Sequence, residues 1–378
     1  MGENDRYQCR SNLPQMIISA KSAVIAGQIR ENVEITVDQG IITAINDGDK
    51  LNAERQYSGT LIPGFVAIDS HGGGGYYFSD SNPSHVKQAI DTHRHAGTTS
   101  QIASLVTADI STLKEQIASL IPFVVSGALA GIHLEGPYLS SAKCGAHNPD
   151  LLRHPVLDEV KSLIEAGQGS IRMVTIAPEL EGAIESIGWL SSQGIVAAIG
   201  HSDADATTTE KAIAAGAQVV THFSNAMSKN LTDESMATHV LNDSTIALEL
   251  INDGVHVPNE VVKTVVAKAL QRTILITDAM SAAGSSDGMY SIGGLDVEVK
   301  DSIARLTRNN SLAGSTLTME KAFLNFMKKD GMSLIDAVHA SSTLPAKLLK
   351  LEKIGSIAVG NKADILHFDG KKINLLTF

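Results

Sequence analysis

Histidines and carboxylates recur in this sequence at the ends of short apolar runs: Asp69-Ser70-His71, His133-Leu134-Glu135, Gly200-His201, Thr221-His222 and Thr277-Asp278. Glu135, His201 and His222 together offer one carboxylate and two imidazoles, the donor set of a catalytic zinc-type site that keeps one position open for water. An ion held there brings that water's pKa near neutrality, which is hydrolytic chemistry. Asp69 and His71 are two apart, so on a strand they share a face, whereas on a helix they would diverge by about 200°. They can therefore bind one ion together, as a second site. Asp278 has no basic sequence neighbour to make it a salt bridge; it suits a general base that later acts as general acid, with a helix N-cap as its structural alternative.

Residues from five separate segments meet only if those segments share a frame. Strand candidates are Leu61–Ile68, Thr99–Leu105, Gly131–Leu134, Ile171–Ile176, Ile195–Ile199, Val219–His222, Ile246–Ile251 and Ile274–Thr277. Helical patterns follow them. In 156–166, for example, Leu157, Val160, Leu163 and Ile164 share a face and Gly167 stands at the C-cap position. Strand-helix repetition means a parallel sheet, and eight units match a (β/α)8 TIM-type barrel, whose chemistry sits at the C-terminal strand ends. From Gln15 to Arg55, and again after Leu351, the rhythm changes to short alternating pieces punctuated by Gly, Asp and Asn, which read as strands and tight turns. The expected division is a catalytic α/β barrel over 61–349 and a small β-sandwich built from both termini, 1–60 with 350–378.

Other features bound the partners. A formal net charge of −11, without a Lys/Arg cluster, argues against nucleic acid. No apolar run reaches the roughly 18 residues of a spanning helix, and no leader pattern precedes the first strand, so a cytoplasmic protein without a membrane partner is expected. Cys9 and Cys144 read as free thiols; Cys144 lacks a visible activating base and reads as a lid residue. His93 and His95 lie in a helical pattern over 84–96, with Ser84 as N-cap, and are expected to be solvated. Gly72 to Gly75 lack the Lys-Ser/Thr ending of a phosphate loop and read as a tight turn that lets backbone approach substrate.

Nine short runs complete the picture: Pro63-Gly64-Phe65, His71-Gly72-Gly73-Gly74-Gly75, His133-Leu134-Glu135-Gly136-Pro137-Tyr138, His147-Asn148-Pro149, Gly200-His201-Ser202-Asp203-Ala204, Thr221-His222-Phe223-Ser224-Asn225-Ala226-Met227, Asp253-Gly254-Val255-His256-Val257, Thr277-Asp278-Ala279-Met280 and Ala313-Gly314-Ser315-Thr316-Leu317. In this order, over nearly the whole chain, they resemble the N-acetylglucosamine-6-phosphate deacetylases of the amidohydrolase superfamily. The resemblance implies a homodimeric enzyme acting on an N-acetylated amino sugar. It implies Glu135, His201 and His222 on one divalent metal, zinc before iron, cobalt or manganese, and Asp278 as the proton carrier. It further implies His147 polarising the acetyl carbonyl, and Asn225, Ala226, His256, Ala146 and Leu312 contacting substrate.

Two positions depart from the family pattern. The first strand ends in Asp69 and His71, where many relatives carry His-x-His, so one tightly held ion is expected and a second stays open. Asp233 falls, by gapless counting, where an arginine usually pairs with the sugar phosphate. A carboxylate there repels a phosphate. Either Lys229, His256 and backbone amides hold the phosphate, or the substrate lacks one. Two rival functions are weighed: hydrolysis of another amide, which often relies on a modified bridging lysine where this chain has Glu135, and a silent scaffold, which would have lost Asp278 or ligands.

Overall fold

The computed structural model describes residues 15–48, 53–228 and 234–378. In the strand Gln28–Asp38, Val33, Ile35 and Val37 are buried on one face while Asn32 and Asp38 on the other are exposed and Glu34 is half-buried, as in a strand with one face to the core. Ala26-Gly27 (φ 49° and 73°) and Gln39-Gly40 (φ 49° and 74°) supply the paired left-handed residues that two-residue hairpins require. With Met16–Ile25, Ile41–Asp47, Arg55–Pro63, Ile365–Phe368 and Ile373–Leu375, this strand forms one six-stranded sheet fed by both ends of the chain. Its pairings are antiparallel except that of Met16–Ile25 with Arg55–Pro63.

Eight parallel strands form the second sheet among the described residues: Phe65–Ala67, Thr98–Val106, Gly131–Glu135, Ile171–Ile176, Val196–Ile199, Ala217–Val220, Ala247–Ile251 and Thr273–Ile276, hydrogen-bonded in chain order. First and last strands meet just beyond their ends. Asp278 N donates to Asp69 O at 3.1 Å, and His71 N donates to Ala279 O at 2.8 Å. The sheet is thus a nearly closed TIM-type barrel whose closing bonds lie at its C-terminal rim.

Period-two alternation sorts the side chains. Val196 and Ala198 pack inside with Val66, Ile102, Met173 and Ile274, while Ala197 and Ile199 pack outward with Leu163 and Leu190 of the helices Leu157–Ala166 and Ala183–Ser192. Towards the C-terminal ends the interior turns polar. Ser104 Oγ, His133 Nδ1, His133 Nε2, Thr175 Oγ1 and Thr221 Oγ1 form a continuous chain of contacts at 2.8–2.9 Å.

Several expectations are corrected. The apolar run from Leu61 to Ile68 is two elements, because Leu61–Pro63 pair with Ile365–His367 in the terminal sheet and Phe65–Ala67 pair with Thr98–Gln101 in the barrel. The change of partner falls at Gly64, whose N–H bonds Asp364 O while the next N–H bonds Gly97 O. The helix Pro83–His95 is capped by Asn82, not Ser84. His93 is fully buried rather than solvated, its Nε2 lying 2.8 Å from Gly72 O, whereas His95 is exposed. Gly167 does cap its helix, but at φ −74°; it is needed because a Cβ would sit 2.6 Å from Ile171 Cγ1. An unforeseen three-stranded sheet, Gly288–Ile292, Leu295–Lys300 and Ile303–Leu306, follows the last barrel strand.

The close approach at Gly64 generates a prediction. A Cβ there would lie 2.7 Å from Thr99 Cβ. Gly64→Ala should lower unfolding stability by about 1–3 kcal/mol through overpacking between the two sheets. Urea titration checks it, and an unchanged midpoint would contradict the close approach.

Candidate active site

Four of the chemistry-bearing residues stand two positions beyond a barrel strand: Asp69 after Ala67, His201 after Ile199, His222 after Val220 and Asp278 after Ile276, while Glu135 ends its own strand. Three of them leave the strand in a left-handed conformation: His201 (φ 48°), His222 (φ 31°) and Asp278 (φ 48°). Such non-glycine residues cost about 1–3 kcal/mol each and persist only where surroundings over-determine them. Here the neighbours do so. Ser140 N bonds His201 O, His222 N bonds the Glu249 carboxylate, and Ser315 N bonds Asp278 O.

Glu135 is the hub. Its Oε1 lies 3.1 Å from His201 Nε2 and 2.9 Å from His222 Nε2, and these two nitrogens are themselves 2.9 Å apart. Its Oε2 lies 3.1 Å from His71 Nε2 and 3.5 Å from His147 Nε2, and His71 Nε2 is 3.3 Å from Asp278 Oδ1. Backbone carbonyls fix two ring protons: His201 Nδ1 donates to Lys143 O at 2.9 Å and His71 Nδ1 to Ser104 O at 3.2 Å. With a proton on Nδ1, a neutral ring presents a bare lone pair at Nε2. Lone pairs aimed at carboxylate oxygens need positive charge between them. The buried Asp69 Oδ2, without a hydrogen-bond partner among the described residues, adds another such acceptor.

Electrostatics agree with that donor chemistry. Burial would lower His222, yet Glu135, Asp278 and Asp69 raise it to about 10. Burial likewise opposes a charge on His71, but Asp278 and Glu135 raise it well above its ordinary value. Glu135 is held well below the carboxylate range, against its burial, by His147, His201, His222 and His71. Asp278 is raised, first by burial and then by Asp69. Among the described residues no Lys or Arg lines the pocket, so cation or imidazolium must balance three carboxylates. The N/O donor set therefore fits a divalent metal: ligand atoms of Glu135, His147 and His201 lie within 4.8 Å of one another, as do those of Asp69, His71 and Asp278, and His222 Nε2 meets the same Glu135 oxygen as His201 Nε2.

His147 plays a different part from the other rings. Burial lowers its pKa to about 4, so it is neutral. Thr107 N donates to its Nδ1 at 3.3 Å, which leaves the proton on Nε2, a donor facing the pocket. His133, by contrast, stays beneath the site in the interior polar chain.

A cavity of about 350 Å³ opens over these groups. His71, Glu135, His147, His201, His222 and Asp278 line it, as do Ala146, Asn225, Ala226, His256 and Leu312. Asp253 orients His256, accepting from its Nδ1 at 2.7 Å. Lys229 and Asp233 lie outside the described residues. Gly72 to Gly75 form the expected turn, with Gly74 N and Gly75 N bonded to Ala283 O and Ser281 O, but they line backbone and not the cavity. Sequence reasoning missed Val106, Gly145, Ile292, Ser311 and Gly314 as lining residues. Ile292 belongs to the unforeseen sheet, and alternation on both sides of Gly293-Gly294 was the available hairpin signal.

An all-parallel barrel that gathers histidines and carboxylates around an N/O metal site at its C-terminal rim defines a metal-dependent hydrolase. The model of the amidohydrolase family matches residues 60–378, and the chain belongs to that family. It is similar, at 36% identity and a TM-score of 0.93, to a solved mutant of the N-acetyl-D-glucosamine-6-phosphate deacetylase of Mycobacterium smegmatis in complex with N-acetyl-D-glucosamine-6-phosphate; the match covers 96% of this chain and 98% of that one. It is 32% identical over 342 residues to an N-acetylgalactosamine-6-phosphate deacetylase of Escherichia coli O157:H7, covering 89% of this chain and 90% of the relative. An N-acetylglucosamine-6-phosphate deacetylase of Bacillus subtilis (strain 168) is 29% identical over 367 residues, covering 93% and 92%.

If Glu135 and the two histidines hold the ion, His201→Ala should lose it. The loss in affinity should exceed the roughly 10–100-fold that removal of a supporting partner costs. Elemental analysis after dialysis checks this, and a full metal complement in His201→Ala would contradict the assignment.

Proposed function

We propose that this protein deacetylates N-acetylglucosamine 6-phosphate, releasing acetate and glucosamine 6-phosphate. The observation that carries the reading is the convergence of Glu135, His201, His222 and Asp278 on one cavity, with the neutral His147 presenting Nε2–H to it. Similarity to relatives named as deacetylases of 6-phosphorylated N-acetyl sugars supplies the substrate class.

Glu135, His201 and His222 would hold one divalent ion, zinc in this reading, and Asp69 with His71 and Asp278 a weaker second. A bound ion supplies Lewis acidity toward water and the amide carbonyl oxygen. Asp278 takes the proton of the attacking water on a carboxylate oxygen and returns it to the departing nitrogen, a task suited to its raised pKa. His147 Nε2–H donates to the carbonyl oxygen as negative charge develops there. The C–N bond breaks, the nitrogen leaves as the free amine carrying the returned proton, and the new C–O bond completes acetic acid, which releases water's second proton to become acetate. Asn225, Ala226, Ala146, Leu312 and His256 contact the sugar and its phosphate. A cytoplasmic homodimer completes the reading.

A second reading, the galactosamine epimer, is favoured by the Escherichia coli O157:H7 relative. Acetate release from both 6-phosphorylated sugars and both unphosphorylated ones, with metal content measured, tests the proposal. Faster turnover of N-acetylglucosamine 6-phosphate supports it. Preference for the epimer replaces the sugar, equal turnover without phosphate removes the phosphate contact, and no acetate from any of the four overturns the reading.

Asp278→Asn should retain the fold and the ion on Glu135, His201 and His222 while losing about 10²–10⁴-fold in turnover. Undiminished kcat in that variant would remove Asp278 from proton transfer.

A further inference from the structure

Glu249 is a fully buried carboxylate in the barrel strand Ala247–Ile251, yet it neither lines the cavity nor makes a salt bridge among the described residues. Burying a carboxylate without a cationic partner is costly, and an apolar side chain would pack there at less expense. What Glu249 contacts is the turn that carries His222. Its Oε2 accepts from His222 N at 3.0 Å, and its backbone O accepts from Phe223 N at 2.8 Å. One residue thus captures two successive donors where the neighbouring strand, Ala217–Val220, has ended.

The turn needs such a clamp. His222 sits at φ +31°, in the left-handed region that side-chain-bearing residues rarely adopt. Thr221 N is engaged by Ile199 O, and His222 O by Asn225 N, so the His222 N–H has the Glu249 side chain as its acceptor. Without it, a buried donor is left unsatisfied at a left-handed step of the strand end. The imidazole would lose the backbone geometry that aims Nε2 at Glu135 Oε1.

We propose that Glu249 is a positioning residue of the metal centre, holding the His222 turn through its amide and thereby setting metal affinity. The inference rests on the assignment of Glu135, His201 and His222 as ligands. It extends that assignment to a residue that no motif marks.

Near-isosteric variants of the whole chain isolate the acceptor. Glu249→Gln keeps a carbonyl oxygen for the amide, Glu249→Met removes it, and both keep nearly the same length and volume, so both should fold. Leu250→Ala, in the apolar core on the same strand, serves as a control for general loosening. Zinc affinity is read by competition with a chromogenic chelator, and melting temperature on the metal-free protein.

Glu249→Met should weaken zinc binding roughly 10–100-fold, Glu249→Gln should stay near wild type, and Leu250→Ala should melt earlier with affinity unchanged. Wild-type affinity in Glu249→Met, an equal loss in Glu249→Gln, or an equal loss in Leu250→Ala would each overturn the positioning role. Failure of the wild-type chain to bind zinc would instead overturn the ligand assignment beneath it.

Discussion

Three carboxylates and a set of imidazole lone pairs are brought together in a largely buried rim, and positive charge has to sit among them. Asp69 and Asp278 offer oxygens to one cluster within 4.8 Å, and His71 Nε2 lies within 3.3 Å of both Glu135 and Asp278. Two unit charges of like sign 4 Å apart repel by about 4 kcal/mol at an effective dielectric of 20. A few such pairs rival the 5–15 kcal/mol that holds a typical domain together. Among the described residues neither lysine nor arginine lines the pocket to relieve them. A divalent ion does so, and the same neutralisation that stabilises the rim makes it a hydrolytic centre.

The fold concentrates that constraint where it is least easily relaxed. The barrel closes through Asp69, His71, Asp278 and Ala279, so the bonds that complete the sheet also set the spacing of reactive groups. His201, His222 and Asp278 leave their strands in left-handed turns, each pinned by a neighbour's hydrogen bond. Strain at these three points is supported by an apolar interior below and by helices packed outside, in which Leu120, Leu163 and Leu190 are buried. Rigid scaffold and strained rim are two halves of one arrangement.

Much of this was legible in the amino-acid sequence because groups able to ligate a metal announce themselves by type and by position. A histidine just past an apolar run has few other uses, and Asp69, Glu135, His201, His222 and Asp278 could be placed on strand ends without coordinates. What was not legible depends on partners far away in sequence. The Leu61–Ile68 run is uniformly apolar, and only the switch of hydrogen-bond partner at Gly64 divides it between two sheets. His93 follows a helical period that predicts solvent exposure, but the glycine turn at 72–75 packs over it and supplies Gly72 O as its acceptor. Ile292 reaches the cavity from a sheet inserted after the last strand. Glu249 sits within a strand, without a motif, and its role depends on one backbone amide 27 residues earlier.

The central claim is that one ion binds where Glu135, His201 and His222 converge, and anomalous diffraction from zinc-loaded crystals, collected at the zinc absorption edge, tests it most directly. The account predicts a dominant peak within bonding distance of Glu135 Oε1, His201 Nε2 and His222 Nε2. A map with no peak there, or with the strong peak elsewhere on the chain, would contradict it.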